Sequence, residues 1–533
     1  MSDTEKTNIL TRIDPRLFFL IGALVVLFVI GLIINLNSNS TDDTSKIGNS
    51  ITTDNGDLKI NWDRYPTSDI ELTESLTITK GGTYHLTGSL NDGSITVDAK
   101  NTVVRLILDN VYIRSSEGPA ISCLEADDLV IELAGNNYIE DSANYPSDDT
   151  DTGTIISKAD LTFNDQGGSL TVRANYQDAI VGKDDLKFNG GMYEIYAIDD
   201  GIRGTDSVYI VDGSFDVDAS ADAIKTSNAT DSDKGFILVE NGILNLYAGD
   251  KGLNATNSIL IQNGSYRIDS YDDAIHSNNY FGMVDGDMLI SAGDDGIHAD
   301  KELIIDGGTI DISKSYEGLE AQAITINDGS IKILAFDDGL NAGGGTNNST
   351  TTNNGRPNND TFKVDQQCII AINGGDLYVN ASGDGIDSNG YLYFNNGNVI
   401  VDGPTNNGNG ALDAGAGITM QGGDVIAVGA SGMAESLGTK SGIPNISVFF
   451  ETTQAAGTEI DIKDSAGQTI LSHKSEKTFN HLAAGTSRFI LGESYTIFVN
   501  GEEYNQFTIS EVMTVIGNSN TNQFEMPGRG PRL

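Results

Sequence analysis

The sequence predicts an all-β protein: a right-handed parallel β-helix with coils of about 22 residues, a small C-terminal antiparallel β-domain, and one transmembrane helix ahead of both. Three observations predict it. An acid-Gly-Ile signature recurs at near-constant spacing, short alternating strands split by Asn-Gly or Asp-Gly turns fill the intervals, and one uncharged apolar run stands near the N-terminus. Composition agrees, because 62 glycines beside 9 prolines, with 38% hydrophobic residues, describe a chain that folds and turns often.

The apolar run comes first. Leu17 to Ile34 reads LFFLIGALVVLFVIGLII, and as a helix it spans about 27 Å, close to the hydrocarbon thickness of a bilayer. Lys6, Arg12 and Arg16 precede it and the next basic residue is Lys46, so residues 1–16 are expected in the cytoplasm, 17–36 as a signal anchor and the remainder outside the cell membrane. A cleaved signal peptide is the rival reading, but the run exceeds a normal h-region and no A-x-A-like site follows. Residues 37–60, rich in Ser, Thr, Asn and Asp, suit a flexible linker.

The repeat decides the fold. Asp178-Ala-Ile, Asp200-Gly-Ile, Asp222-Ala-Ile, Lys251-Gly-Leu, Asp273-Ala-Ile, Asp295-Gly-Ile, Glu317-Gly-Leu, Asp338-Gly-Leu and Asp384-Gly-Ile follow one another at intervals of 22, 22, 29, 22, 22, 22, 21 and 46 residues. Between them run strands such as Leu303-Ile-Ile-Asp-Gly-Gly-Thr-Ile-Asp-Ile312. A unit this short cannot make a propeller blade, which needs about 40 residues, and the leucine-rich-repeat pattern is absent. Stacked coils fit, with Leu303, Ile305, Ile310 and Ile312 forming inward ladders. Right-handed coiling is expected from the coil shape. The β-helix is placed at residues 61–435, with 343–361 as a low-complexity loop insertion. Residues 436–517 alternate without the period and read as the C-terminal β-domain, and 518–533 as a disordered tail. Cys123 and Cys368, many coils apart, are expected to be buried free thiols.

Stacking turns the acids into a file of carboxylates spaced by about 4.8 Å. Like charges at that distance repel unless a cation intervenes, and calcium takes six to eight oxygen ligands. The expected calcium ligands are Asp199, Asp200, Asp222, Asp272, Asp273, Asp294, Asp295, Glu317, Asp337, Asp338, Asp384 and Asp387. The competing reading makes them turn residues pointing into water. A second column, one position past the Ile or Leu, runs Val181, Arg203, Lys225, Asn254, His276, His298, Glu320, Asn341, Asp387 and Asp413. It reads as an exposed strand face. Its basic and histidine members, Arg203, Lys225, His276 and His298, are candidates to contact an anionic sugar. The two histidines are expected to stack on the surface, since no third ligand for a transition metal is evident. Nucleic acid is a poor partner for a net charge of −45.

The stretches Gly82-Thr-Tyr-His-Leu-Thr-Gly-Ser-Leu90, Val104-Arg-Leu-Ile-Leu-Asp-Asn-Val111, Asp200-Gly-Ile-Arg-Gly204 and Gly383-Asp-Gly-Ile-Asp-Ser-Asn389 resemble the bacterial carbohydrate-binding β-helix family, over roughly residues 62–517. The resemblance implies a right-handed β-helix carrying calcium, similar in architecture to calcium-dependent pectate lyases, that binds polygalacturonate-like polysaccharide or cellulose without demonstrated cleavage. Departures fall at Ala179, Ala223, Ala274 and Lys251. Lysine for an acid puts calcium at that coil in doubt, and alanine for glycine an identical turn. Two other functions stay open: a structural or adhesive surface solenoid stiffened by calcium, and a lyase. A lyase would need a base, for which Lys225 and Lys251 are the candidates with Arg203 as charge stabiliser. Solvated lysines are the simpler account of both.

Overall fold

The computed structural model describes residues 60–145, 153–343 and 364–518. The expected cytoplasmic segment, membrane helix and almost all of the linker, insertion and tail lie outside the described residues. Among the described residues no helix is long and apolar enough to cross a membrane, and the only helical element is a 3-10 turn at Trp62–Arg64.

From Thr67 the chain winds as a parallel β-solenoid of about 14 turns. One coil shows the grammar: strands Ile202–Gly204, Ser207–Ile210 and Ser214–Ala219, each hydrogen-bonded in parallel to its counterpart a coil away. The apolar position of the repeated signature forms one ladder. Ile180, Ile202, Ile224, Leu253, Ile275, Ile297, Leu319, Leu340, Ile386 and Leu412 pair in unbroken register. All are buried, and each such side chain contributes about 1.5–3 kcal/mol by leaving water. Leu303, Ile305, Ile310 and Ile312 are buried in the same core. Register holds across the insertion, since Leu340 on one side pairs with Ile386 on the other.

Alanine does not change the turn. At Ala223 and Ala274 the backbone ladder continues as at the glycines, with Ile202 N–H donating to Ala223 O and Leu253 N–H to Ala274 O. A methyl group is therefore accommodated where the sequence raised doubt. The Asx-Gly corner is stricter. Gly308 has φ +87°, and a Cβ there would lie 2.6 Å from Gly286 O of the preceding coil.

The C-terminal region is only partly the antiparallel unit the sequence suggests. Glu459–Asp464, Thr469–Lys474, Ser494–Val499 and Glu502–Thr508 do form a four-stranded antiparallel sheet. However, Asn445–Gln454 pairs in parallel with Met513–Ile516, and Phe479–Thr486 hydrogen-bonds antiparallel to the last solenoid strand, Asp424–Gly429. The module is thus continuous with the solenoid and covers its open edge, which would otherwise present unpaired backbone. Cys123 and Cys368 are buried and free.

Candidate functional site

The acid file lies at the turn entering the first strand of each coil. Its second acids are buried: Asp178, Asp200, Asp222, Asp273 and Asp295. In all but Asp295, one carboxylate oxygen accepts a backbone N–H from the next coil. Asp178 Oδ1 accepts from Asp200 N at 3.1 Å, Asp200 from Asp222 at 3.1 Å, Asp222 from Lys251 at 3.0 Å and Asp273 from Asp295 at 3.1 Å. Asp338 likewise accepts from Asp384 N at 2.6 Å. These acids are neither open to water nor simple turn residues. They join one coil to the next. The first acids of each pair, Asp199, Asp272, Asp294 and Asp337, lie nearer the surface.

The second column, read from sequence as an exposed strand face, folds back onto the acids. Side chains three residues apart flank the same inward Ile or Leu, so the column meets the oxygen that the backbone leaves free. Arg203 Nε lies 2.7 Å from Asp178 Oδ2. Lys225 Nζ lies 2.8 Å from Asp222 Oδ2 and 3.4 Å from that of Asp200, and Asn254 Nδ2 donates to Asp222 Oδ2 at 2.9 Å. Asp222 is 1% exposed and has its charge met by these donors. Lys251 is not a solvated lysine either: its ammonium contacts Asp272 and lies 3.4 Å from Asp250. Burial works to lower the pKa of Lys225 and of Lys251, but the surrounding aspartates raise both above the ordinary lysine value.

The histidines lie in register in adjacent coils, with ring centroids 4.8 Å apart and planes tilted by 42°, but they are not surface residues as expected. His298 is 4% exposed. His276 Nδ1 lies 2.8 Å from Asp273 Oδ2, and His298 Nδ1 lies 3.1 Å from Asp295 Oδ2 and 2.9 Å from Glu320 Oε2. Burial would lower the pKa of His298, yet hydrogen bonds with Asp295, Asp300 and Glu320 carry it up to about 12.

Beyond His298 the compensation stops. Among the described residues no Lys, Arg or His pairs with Glu317, Asp338, Asp384, Asp387, Asp413 or Glu435. Burial and then mutual repulsion push Glu317, Asp338 and Asp387 up to about 8, Glu435 to about 7 and Asp384 to about 6. Asn341 Nδ2 donates to Glu317 Oε2 at 2.8 Å, which is a dipole and not a charge. Glu435 carries no sequence signal of its own, because it follows the last coil and belongs to no repeat. A smaller acidic group, Asp160, Asp184 and Asp185, gathers at the next turn. Its signal was the pair of Asp-Leu steps at Asp160 and Asp185.

Beside the file, an open cleft of about 1060 Å³ runs along the third strand of successive coils. Tyr247 and Tyr271 line it with Asp250, Asp272, Asp294 and Lys314. Tyr271 is 82% exposed. Gly249 and Gly293 occupy the equivalent corners of the coils on either side, so nothing larger than hydrogen hides its ring. Arg203, Lys225, His276 and His298, the basic candidates for sugar contact, are instead committed to the acid file.

Residues 73–339, half of the chain, match the family described as carbohydrate-binding domain-containing protein. A protein of that description from Acetivibrio thermocellus is 34% identical over 161 residues, covering 29% of this chain and 55% of that relative. The chain therefore aligns with about half the length of the curated relative it matches. A solved gadolinium derivative of a polysaccharide lyase-like protein from C. thermocellum is 31% identical, covers 46% of this chain and 91% of its own, and superposes with a TM-score of 0.36.

Proposed function

The chain belongs to the carbohydrate-binding domain-containing family, and from that membership we propose that it holds polysaccharide at the cell surface, in a calcium-dependent manner and without cleaving it. The observation that carries this is the cleft beside the acid file, with Tyr271 standing 82% exposed next to Asp272 and Asp294. An exposed aromatic face packs against the C–H face of a pyranose, and neighbouring carboxylates accept its hydroxyls.

Calcium enters through the uncompensated end of the file. Glu317, Asp337, Asp338, Asp384, Asp387, Asp413 and Glu435 supply only hard oxygen donors, the chemistry calcium selects. A bound ion would supply the positive charge that these coils lack. At the other end Asp178, Asp200 and Asp222 already have Arg203 and Lys225 beside them. Calcium near the cleft would also let the acidic surface accept a polyuronate, whose carboxylates it otherwise repels, so a pectin-like glycan is the finer reading and cellulose the comparator. Elimination chemistry is disfavoured, because a lysine base must be neutral near pH 7, whereas Lys225 and Lys251 are held charged. The solenoid is taken as right-handed, the sense that parallel crossovers adopt, and as tethered by the apolar run 17–34 with its N-terminus inside.

Affinity electrophoresis on polygalacturonate and on cellulose, with calcium and with chelator, tests the reading. Retardation by polygalacturonate in calcium is expected to vanish in chelator while the circular dichroism is unchanged. Tyr271→Ala is expected to weaken retention about ten-fold. Equal retention with and without calcium would remove the ion from the mechanism, and undiminished retention of Tyr271→Ala would remove the cleft.

A further inference from the structure

The histidine pair differs chemically from the rest of the file. Elsewhere the acids face guanidinium, ammonium, amide or one another. Here two neighbouring imidazoles interleave with Asp273, Asp295 and Glu320 in adjacent coils. Asp273, His276 and His298 each offer one ligand atom, as do Asp295, His298 and Glu320, and within each trio these atoms lie inside 4.8 Å of one another.

Two details of the imidazoles point to a ligand and not to simple ion pairing. Asp295 Oδ2 at 3.1 Å and Glu320 Oε2 at 2.9 Å both crowd His298 Nδ1, a nitrogen that carries at most one hydrogen. Two carboxylates converging on one nitrogen are better served by a cation between the three atoms. The far nitrogen of each ring is also held: His298 Nε2 lies 3.3 Å from Asp300 Oδ1, and His276 Nε2 lies 3.1 Å from Asn278 Oδ1. When a metal ion displaces the Nδ1 proton, this outer acceptor keeps the remaining proton on Nε2, the arrangement found behind metal-bound histidines.

We propose that Asp295, His298 and Glu320, with His276 and Asp273 alongside, form a site for a divalent first-row transition ion of the zinc type, distinct from the calcium file. Imidazole with carboxylate suits zinc, whereas calcium selects oxygen alone. The spacing agrees. Bonds of ~2.1 Å place neighbouring ligand atoms ~3.0–3.4 Å apart, close to the 2.9 and 3.1 Å observed around His298 Nδ1. Calcium bonds of ~2.4 Å give ~2.8–3.4 Å across its six- to eight-coordinate shells, so the nitrogen donor and not the spacing selects zinc. His298 is 4% exposed, so the ion would be held inside the stack and would link three successive coils.

The full-length chain, stripped with chelator and returned to excess calcium, is titrated with zinc chloride by calorimetry, and with cobalt(II) chloride by visible absorption. One zinc per chain at these residues is expected to bind despite the calcium. Cobalt is expected to give the d–d bands of a nitrogen-containing site. His298→Gln and Glu320→Gln should each weaken zinc binding at least ten-fold and remove those bands, and Asp300→Asn should weaken it about ten-fold through the outer shell. Glu320 is partly exposed, so Glu320→Gln carries the test if His298→Gln does not fold. Absence of zinc binding by the wild-type chain overturns the proposal. So does binding that calcium displaces, or that survives Glu320→Gln unchanged.

Discussion

His481 shows how a single residue can make the fold sensitive to acid. It is buried, its Nε2 lies 2.9 Å from Ser447 Oγ, and its ring packs against Phe449 at 4.8 Å. Burial pulls its pKa down to about 4. In the unfolded chain a histidine takes its proton at about 6.5. Between those values the unfolded state binds more protons, so stability is fully present above about pH 6.5 and falls as the pH drops to about 4, by about 3 kcal/mol in total. Other groups titrate over the same range, so the measure is a difference between two proteins. The gap in melting temperature between wild type and His481→Gln should narrow steadily from pH 7 to pH 4.5. A constant gap would mean that His481 does not remain neutral in the fold. No such burial was legible in the sequence, because His481 stands in an aperiodic stretch. In the solenoid, by contrast, the repeated acids were legible from their place three residues before the second column, and Glu435, which belongs to no repeat, was not. What spacing could not reveal is that Arg203, Lys225 and His298 turn back onto the acids. That depends on the depth of the corner and not on its period.

At the scale of the element, Asp402 joins the solenoid to the module that covers it. It belongs to strand Asn398–Asp402 and is fully buried. Its carboxylate accepts from His473 Nε2 at 2.8 Å, Ser475 Oγ at 2.8 Å, Glu476 N at 3.1 Å and Tyr378 O–H at 2.9 Å. Burial alone would raise its pKa, but the His473 hydrogen bond and charge, with the other donors, hold it below the ordinary aspartate value. Removing the carboxylate strands several buried donors at once, a loss of about 3–5 kcal/mol. Asp402→Ala should therefore lower the denaturation midpoint and open the strand pairing between Asp424–Gly429 and Phe479–Thr486 to limited proteolysis. Proteolysis unchanged from wild type would show that the antiparallel pairing alone holds the module. The repeat made the parallel strands readable, and alternation made the later strands readable. Their pairing was not, since partners such as Asp402 and His473 are far apart in sequence and no period relates them.

Over the whole molecule, charge compensation is graded along the solenoid axis. Coils near Asp178, Asp200 and Asp222 carry their own counter-ions in Arg203 and Lys225. In the coils from Glu317 to Glu435 the file carboxylates Glu317, Asp338, Asp384, Asp387, Asp413 and Glu435 have no paired protein cation among the described residues, and burial followed by mutual repulsion raises the pKa values of Glu317, Asp338, Asp387 and Glu435. A 1-D stack of this kind transmits stability chiefly between neighbours, so the two ends can respond separately to the medium. If calcium occupies the uncompensated end, its removal should loosen that end and leave the other. Hydrogen exchange followed by mass spectrometry at pH 7.5, with calcium and with chelator, reads each coil separately. Backbone amides of the strands at Leu319–Ile326, Ile386–Ser388 and Leu412–Ala414 should exchange at least ten-fold faster in chelator. Those at Ile202–Gly204 and Ile224–Thr226 should change by less than about two-fold, because Arg203 and Lys225 remain in place. A uniform change along the stack would argue for an ion shared by all coils, and no change at either end would exclude calcium from the file under these conditions.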